Sequence, residues 1–424
     1  MAKWLSVAIL LCLGFQAECS ETESPQFKLG HSVFETEWLP AGAPGMPGRF
    51  GLGPLFNATS CTACHREGAH GRGPTGDGLV PVALVVQLGT PSTDANTESN
   101  GDPVYGRVFN TSALDPAQAE GTVTVRYTET AGYYYPFGGR WTLRVPHYHL
   151  GGLKHGPLAS STIIKPRLAP ALFGVGLLEA VPEVRISEGS AEPAGGKRAG
   201  VPAWHSRQGS RSIGRFGWQA DAVSVRDQTA MAFAREMGLT SADRPDDDCT
   251  PAETNCGGHP GGASPEVSEE LLSSVVSFVR ALAVPESPTH AVSDSLGSNL
   301  FANIGCGACH RPQLTVERPR ADGTVMSSVI APYTDLRLHD LGTDMADENV
   351  SGVKVASRWR TAPLWGLGYR VKQESFPTFL HDGRATSIEE AILWHSGEAA
   401  YAKYQFMKLG PRARETLLHW LETL

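Results

Sequence analysis

Two short stretches constrain this chain more than anything else in it: Cys61-Thr-Ala-Cys64-His65 and Cys306-Gly-Ala-Cys309-His310. Each is a C-x-x-C-H pattern, the attachment signature of a c-type haem. Two thiols add across the porphyrin vinyls, and the adjacent imidazole reaches the iron from the same loop. Other readings of paired cysteines fail on context. A zinc ribbon sets its two C-x-x-C pairs roughly 15–20 residues apart, not at opposite ends of a chain. A thioredoxin-like C-x-x-C sits beside a βαβ pattern, and neither copy does. The chain is therefore expected to wrap around two covalent haems c. Cys61, Cys64, Cys306 and Cys309 would attach them, and His65 and His310 would be the first axial ligands.

The rest of the sequence is read around that requirement. Its 424 residues leave room for two or three cores, and 41% hydrophobic with 19% charged residues is ordinary for a globular protein. A net charge of −8 gives no support for nucleic-acid binding. The 47 Gly and 30 Pro predict long irregular segments. Residues 1–19 read as a secretory signal: Lys3, an apolar run from Trp4 to Phe15, then small residues, with cleavage before Ser20. A lipid-anchored Cys19 is the alternative, with Glu18 a poor residue before it. That run is too short for a membrane span and no later stretch is long enough. The expected destination is the periplasm. Cys249 and Cys256 remain in a turn-rich loop, where a disulfide is the default in an oxidising compartment and metal ligation the alternative.

Along the chain, Ser20–Phe50 is expected to wrap the surface before the first haem helix. His70 follows in a Gly-rich turn and reads as a surface residue. Val82–Leu88 is a short apolar run, and Thr122–Tyr127 with Trp141–Val145 reads as a hairpin. Tyr133, Tyr134 and Tyr135 would lie at its loop, for packing, a partner surface, iron ligation or a radical. His147, His149 and His155 are candidates to cap a haem. Val267–Leu282 and Arg412–Leu424 are amphipathic helices. The chain also repeats itself. Leu55-Phe56 and Leu300-Phe301 stand equally far before the first cysteine of each motif. Arg167-Leu-Ala-Pro170 and Arg360-Thr-Ala-Pro363 follow, then Phe216–Ala220 and His381–Ala385, then a helix. In the second copy that helix starts at Ser387, a cap with Glu389 and Glu390 behind it, and ends at His395. In the first it runs Gln228–Met237 and ends in Glu236-Met237. The expected fold is mainly α: two tandem cytochrome c-like domains, 20–285 and 286–424, with long irregular loops and a small β hairpin inserted in the first.

At these residues the chain resembles the bacterial di-haem cytochrome c peroxidase superfamily, in its di-haem oxidoreductase branch. The anchors are GLGPLFN…SCTACH, RLAPALFGVGLLEAVPE, RFGWQA, EMG, YTDLRLHDLG, WRTAPLWGLG and FLHDGRATSIEEAILWHSGEA, which cover most of the chain after the signal. The resemblance implies one electron-transfer haem with two protein ligands and one haem open to peroxide. The second ligand of the former lies fourteen residues after the His of the HDG motif, which from His381 is His395. His65, His310 and His395 are thus the implied iron ligands. It further implies Trp218 between the haems, Gln228 ten residues later, and Glu236 as the acid that handles the peroxide proton. Glu236 comes slightly earlier here than in the peroxidases, so Gln228 is the least secure of the three. Calcium between the domains would fit the same relatives.

Three functions stay open. The first is a peroxidase-like oxidoreductase, taking electrons at the C-terminal haem from a small cytochrome or copper protein and reducing hydrogen peroxide or a related oxidant at the N-terminal one. The second is a non-enzymatic electron carrier, with Met237, His147, His149 or His155 closing the first iron. The third is an oxidase of a protein or thiol partner.

Overall fold

The computed structural model describes residues 24–41, 43, 49–90, 100–188, 200–207, 209–254, 256, 265–286, 296–320, 322–355 and 357–424. The segment 1–19 read as a secretory signal, with Cys19, lies outside the described residues. The fold is not mainly α: 29% of the chain is helical and 25% is strand, in several sheets, which makes it a mixed α/β structure. The physical reason lies in segments that read as irregular because Gly and Pro interrupt them. Their short apolar stretches pair across long sequence distances, which no local pattern reveals.

Val82–Leu88 shows this best. It becomes the strand Leu84–Gly89 in an all-antiparallel five-stranded sheet, between Val108–Phe109 and Ile163–Leu168. The Ile163–Leu168 strand then pairs with Asp347–Asn349, so the sheet joins chain segments from both halves. The hairpin is present and larger than expected. Thr122–Tyr133 pairs with Arg140–Gly151 over their whole length, from Thr122 opposite Gly151 to Tyr133 opposite Arg140.

The helices start where their caps place them. Ser224, Ser268 and Ser387 each accept a hydrogen bond from the backbone N–H three residues on, opening the helices Val225–Met237, Glu269–Arg280 and Ile388–Trp394. Leu272, Val275, Val276, Phe278 and Val279 are buried on the second of these, against Val33, Phe34 and Phe233. A second core gathers Phe301, Trp359, Trp394, Phe406, Leu417 and Trp420. Leu314, Val316 and Leu336 pack with the first core, while Tyr134 and Leu143 pack with the second.

The internal repeat is real but its first anchor is not Leu55-Phe56. Those two residues form a strand paired with Ser112–Ala113, whereas Leu300-Phe301 lies in the helix Leu296–Asn303. The helix that corresponds to Leu296–Asn303 is Pro25–Glu35, inside the segment expected to wrap the surface. Gly30 packs on the backbone of Ser274 and on Phe278; Gly297 packs on Thr416 and Trp420. Phe34 meets Phe278 and Phe301 meets Trp420 at the same ring separation, 5.1 Å, and the same tilt, 53°. A Cβ added at Gly30 would lie 1.9 Å from the Ser274 oxygen, and one at Gly297 would lie 2.2 Å from the Trp420 Cβ. Gly30→Ala and Gly297→Ala are each expected to cost about 1–3 kcal/mol through overpacking, read as a lower midpoint in chemical denaturation.

A second correspondence is reciprocal. Gly174, at φ +73°, faces the Trp365 ring, and Gly366, at φ +72°, faces the Phe173 ring. Each R-x-A-P loop therefore seats its aromatic residue on the glycine of the other. The bridges Phe216–Ala222 and Phe379–Ala385 set the register of the following turns and make Trp218 the counterpart of His381.

Candidate functional site: two cavities joined by shared residues

Each motif opens into an apolar cavity. One is bordered by Cys61, Cys64 and His65; the other by Cys306, Cys309 and His310. Phe34 lines the first and Phe301 the second, as the repeat requires. His70, Trp218, Arg360 and Trp365 border both. His70 is thus not a surface residue but part of the wall between the two spaces.

The donor set fits haem. None of the four motif cysteines is in a disulfide. Burial pushes the thiols of Cys61, Cys64 and Cys306 up to about 12, so they are not reactive thiolates. Burial also pulls His65 and His310 down to about 4, which leaves neutral imidazoles, the form that binds a metal. The second cavity is closed by His395, also kept neutral chiefly by burial. The His310 and His395 rings have centroids 6.4 Å apart. That is close to the span of two imidazoles on one ion, each bonded at about 2 Å. His310 Nδ1 meets the Tyr333 carbonyl at 3.0 Å and His395 Nδ1 meets the Ala391 carbonyl at 2.7 Å. Each carbonyl holds the Nδ1 proton and leaves Nε2 as the donor, the usual outer support of a metal-binding histidine. His65 Nδ1 lies near the Pro170 carbonyl without reaching hydrogen-bond geometry.

The first cavity is furnished differently. Glu236, Met237 and Gln228 border it, all from the Val225–Met237 helix. Burial raises the Glu236 carboxyl to about 7, against the opposing pull of Arg235 and Asn57. Asn57 Nδ2 reaches Glu236 Oε2 at 3.4 Å, and the Asn57 and Ala58 backbone N–H groups donate to the Glu236 carbonyl at 2.8 and 3.0 Å. Asn57 is itself held by Thr111, whose N–H and hydroxyl donate to its Oδ1. Gln228 Oε1 is buried with no hydrogen-bond partner among the described residues. Trp218 is fixed by its indole N–H, which donates to the Leu168 carbonyl at 2.6 Å, and it stands edge-on to His381 at 6.5 Å.

The other candidates lie elsewhere. His147 and His149 are exposed on the hairpin strand, with His147 bonded to Thr128, and His155 stands beside Tyr105. None of the three borders either of these two cavities. Tyr134 packs on Phe406 and donates to Glu389, while Tyr133 and Tyr135 are exposed. Cys249 and Cys256 form the disulfide expected of them. Among the described residues no group of three or more His, Cys, Asp or Glu side chains is gathered for a metal ion, so no carboxylate set for calcium can be named. Among those residues, no helix is long and apolar enough to cross a membrane.

Sequence reasoning missed Asn57, Trp365 and His339. Asn57 stands at the end of the GLGPLFN anchor as the one amide after an apolar run. Trp365 was visible only through its alignment with Phe173. His339, from the YTDLRLHDLG stretch, is clamped by Asp335 at 3.0 Å and Glu398 at 2.8 Å beside Cys309. Burial opposes its charge, but the bond it donates to Asp335, with Cys309 beside it, lifts it to about 11, so it is an imidazolium.

Comparison with known proteins agrees with this construction. No curated protein and no solved structure matches the chain. A family model described as "Di-haem oxidoreductase, putative peroxidase" matches residues 158–424, which hold Glu236, the second C-x-x-C-H motif and His395 but not the first motif. With more than half of its length matched, two cavities of like construction and a ligand-ready histidine in each, the chain belongs to the di-haem oxidoreductase family.

Proposed function

We propose that this protein is an exported di-haem c-type oxidoreductase of the peroxidase kind. It takes electrons on the His310 side from a small cytochrome or copper protein and reduces hydrogen peroxide or a related oxidant on the His65 side. When bound, the haems would supply the irons that exchange electrons and meet the oxidant. Cys61, Cys64 and His65 would hold one; Cys306, Cys309, His310 and His395 the other.

One observation carries the reading: the two cavities are built alike but closed differently. His395 stands across from His310, whereas a carboxyl raised to about 7 borders the cavity of His65. A group that takes a proton and returns it works best with a pKa near the ambient pH. Glu236 takes the proton from one peroxide oxygen and delivers it to the departing one. Asn57 holds the carboxyl, and Gln228 offers its amide to the same space. Trp218, bordering both cavities with its indole fixed, is the relay between them.

Met237 favours a second reading, a pure electron carrier, because its buried thioether borders the same cavity as His65. Electron paramagnetic resonance separates the two. The enzyme reading expects one low-spin ferric haem and one whose signal changes on adding peroxide or cyanide. Two low-spin signals indifferent to both ligands would leave only the carrier.

A further inference from the structure

Two buried guanidinium groups face the cavities with no carboxylate in ion-pair contact among the described residues. Arg370, 5% exposed, comes from the helix Leu367–Gln373 and borders the cavity of His310. Its Nε and Nη2 are buried without hydrogen-bond partners. The Phe379 ring covers one face of it at 5.0 Å. Glu374 acts on it only from beyond ion-pair distance. Arg360, 8% exposed, borders both cavities and donates only to carbonyls, Gly217 at 2.8 Å and Thr361 at 3.3 Å.

Other buried arginines are treated differently by the same fold. Arg167, the counterpart of Arg360 in the repeat, holds Asp347 through two bonds of 2.8 Å. Arg384 holds Asp382 through bonds of 2.9 to 3.0 Å. An uncompensated buried cation is strongly unfavourable, because it gives up hydration and gains no anion in return. Arginine is also the side chain that best matches a carboxylate, with its planar fork of donors. The open fork of Arg370, with the Arg360 guanidinium bordering the same space, marks a seat for carboxylates brought by a bound group.

We propose that Arg370 and Arg360 form the carboxylate subsite of the His310 cavity, receiving the propionate groups of its haem. The inference rests on the haem seating proposed above and adds which residues neutralise the charged edge of the group. A cation beside the propionates makes the electron-rich state of the haem easier to reach, so it raises the midpoint potential. Arg370→Leu, purified with both haems, is expected to lower the midpoint potential of the His310-side haem in a spectroelectrochemical titration and to leave the other unmoved. Arg370→Lys, which keeps the charge, should recover most of the shift. If the leucine variant fails to accumulate, the neutral Arg370→Gln gives the same readout. Haem content from the pyridine haemochromogen reports seating separately, and neither measurement depends on peroxide turnover. A purely structural Arg370 would lower the melting temperature with both potentials unchanged, and that result overturns the assignment.

Discussion

Replacing Glu236 by glutamine is expected to cut peroxide turnover by about 10²–10⁴-fold with both haems still attached, the usual span for loss of a general acid–base. The change keeps the shape of the side chain and the cavity, and it removes the carboxyl that accepts and returns a proton. It also leaves the backbone contacts from Asn57 and Ala58 in place, since these go to the main-chain carbonyl. The sign of the pH dependence follows from the raised carboxyl. Burial holds Glu236 at about 7, so below that pH it is protonated and cannot take the peroxide proton. Catalytic efficiency in the native protein should therefore rise with pH through about 7, and in Glu236→Gln this limb should vanish. Steady-state turnover measured across that range, beside haem spectra of both proteins, checks the expectation. Native turnover in the variant would remove Glu236 from the mechanism.

What could be read from the sequence follows a simple physical division. Local chemistry was legible. The C-x-x-C-H loops, the Ser387 cap and the Cys249–Cys256 pair all depend on residues within a few positions of each other. Glu236 and His395 stand at the ends of the two repeated helices and take their roles from the family resemblance, and the structure brings each to the border of the cavity named for it. Long-range pairing was not legible. The strand Leu84–Gly89 is short, and its partners come from 108–109 and 163–168, so the fold class was read as mainly α when it is mixed. The repeat misled in one place for a related reason. Leu55-Phe56 and Leu300-Phe301 match in letters and spacing, yet a segment inserted after Pro25–Glu35 separates the true counterpart, Phe34, from its haem loop. Phe34 and Phe301 are recognised as equivalent only by what they touch. Arg370 was invisible for a third reason: its meaning lies in the absence of a partner, which no single-chain pattern records.

Replacing His395 by alanine should open the haem on the His310 side and leave the other unaffected. His395 stands at the end of the Ile388–Trp394 helix, with its Nδ1 tied to Ala391 and its ring 6.4 Å from that of His310. Among the side chains of that cavity, His339 cannot take its place, since Asp335 and Glu398 hold it as an imidazolium with no free nitrogen lone pair. The expected result is conversion of one low-spin ferric signal to high spin, reversed by imidazole added to the buffer. The substitution should also break electron entry, because an iron that gains or loses a water on reduction must reorganise at each turnover. His395→Met tests the same assignment in the other direction. A thioether favours the reduced iron more than an imidazole does, and axial ligand choice moves haem potentials over a range of about 0.8 V, so the midpoint potential should rise. A low-spin signal retained in His395→Ala without added imidazole would mean that another residue closes this haem. The asymmetry that distinguishes the two cavities would then have to be sought outside the Ile388–Trp394 helix.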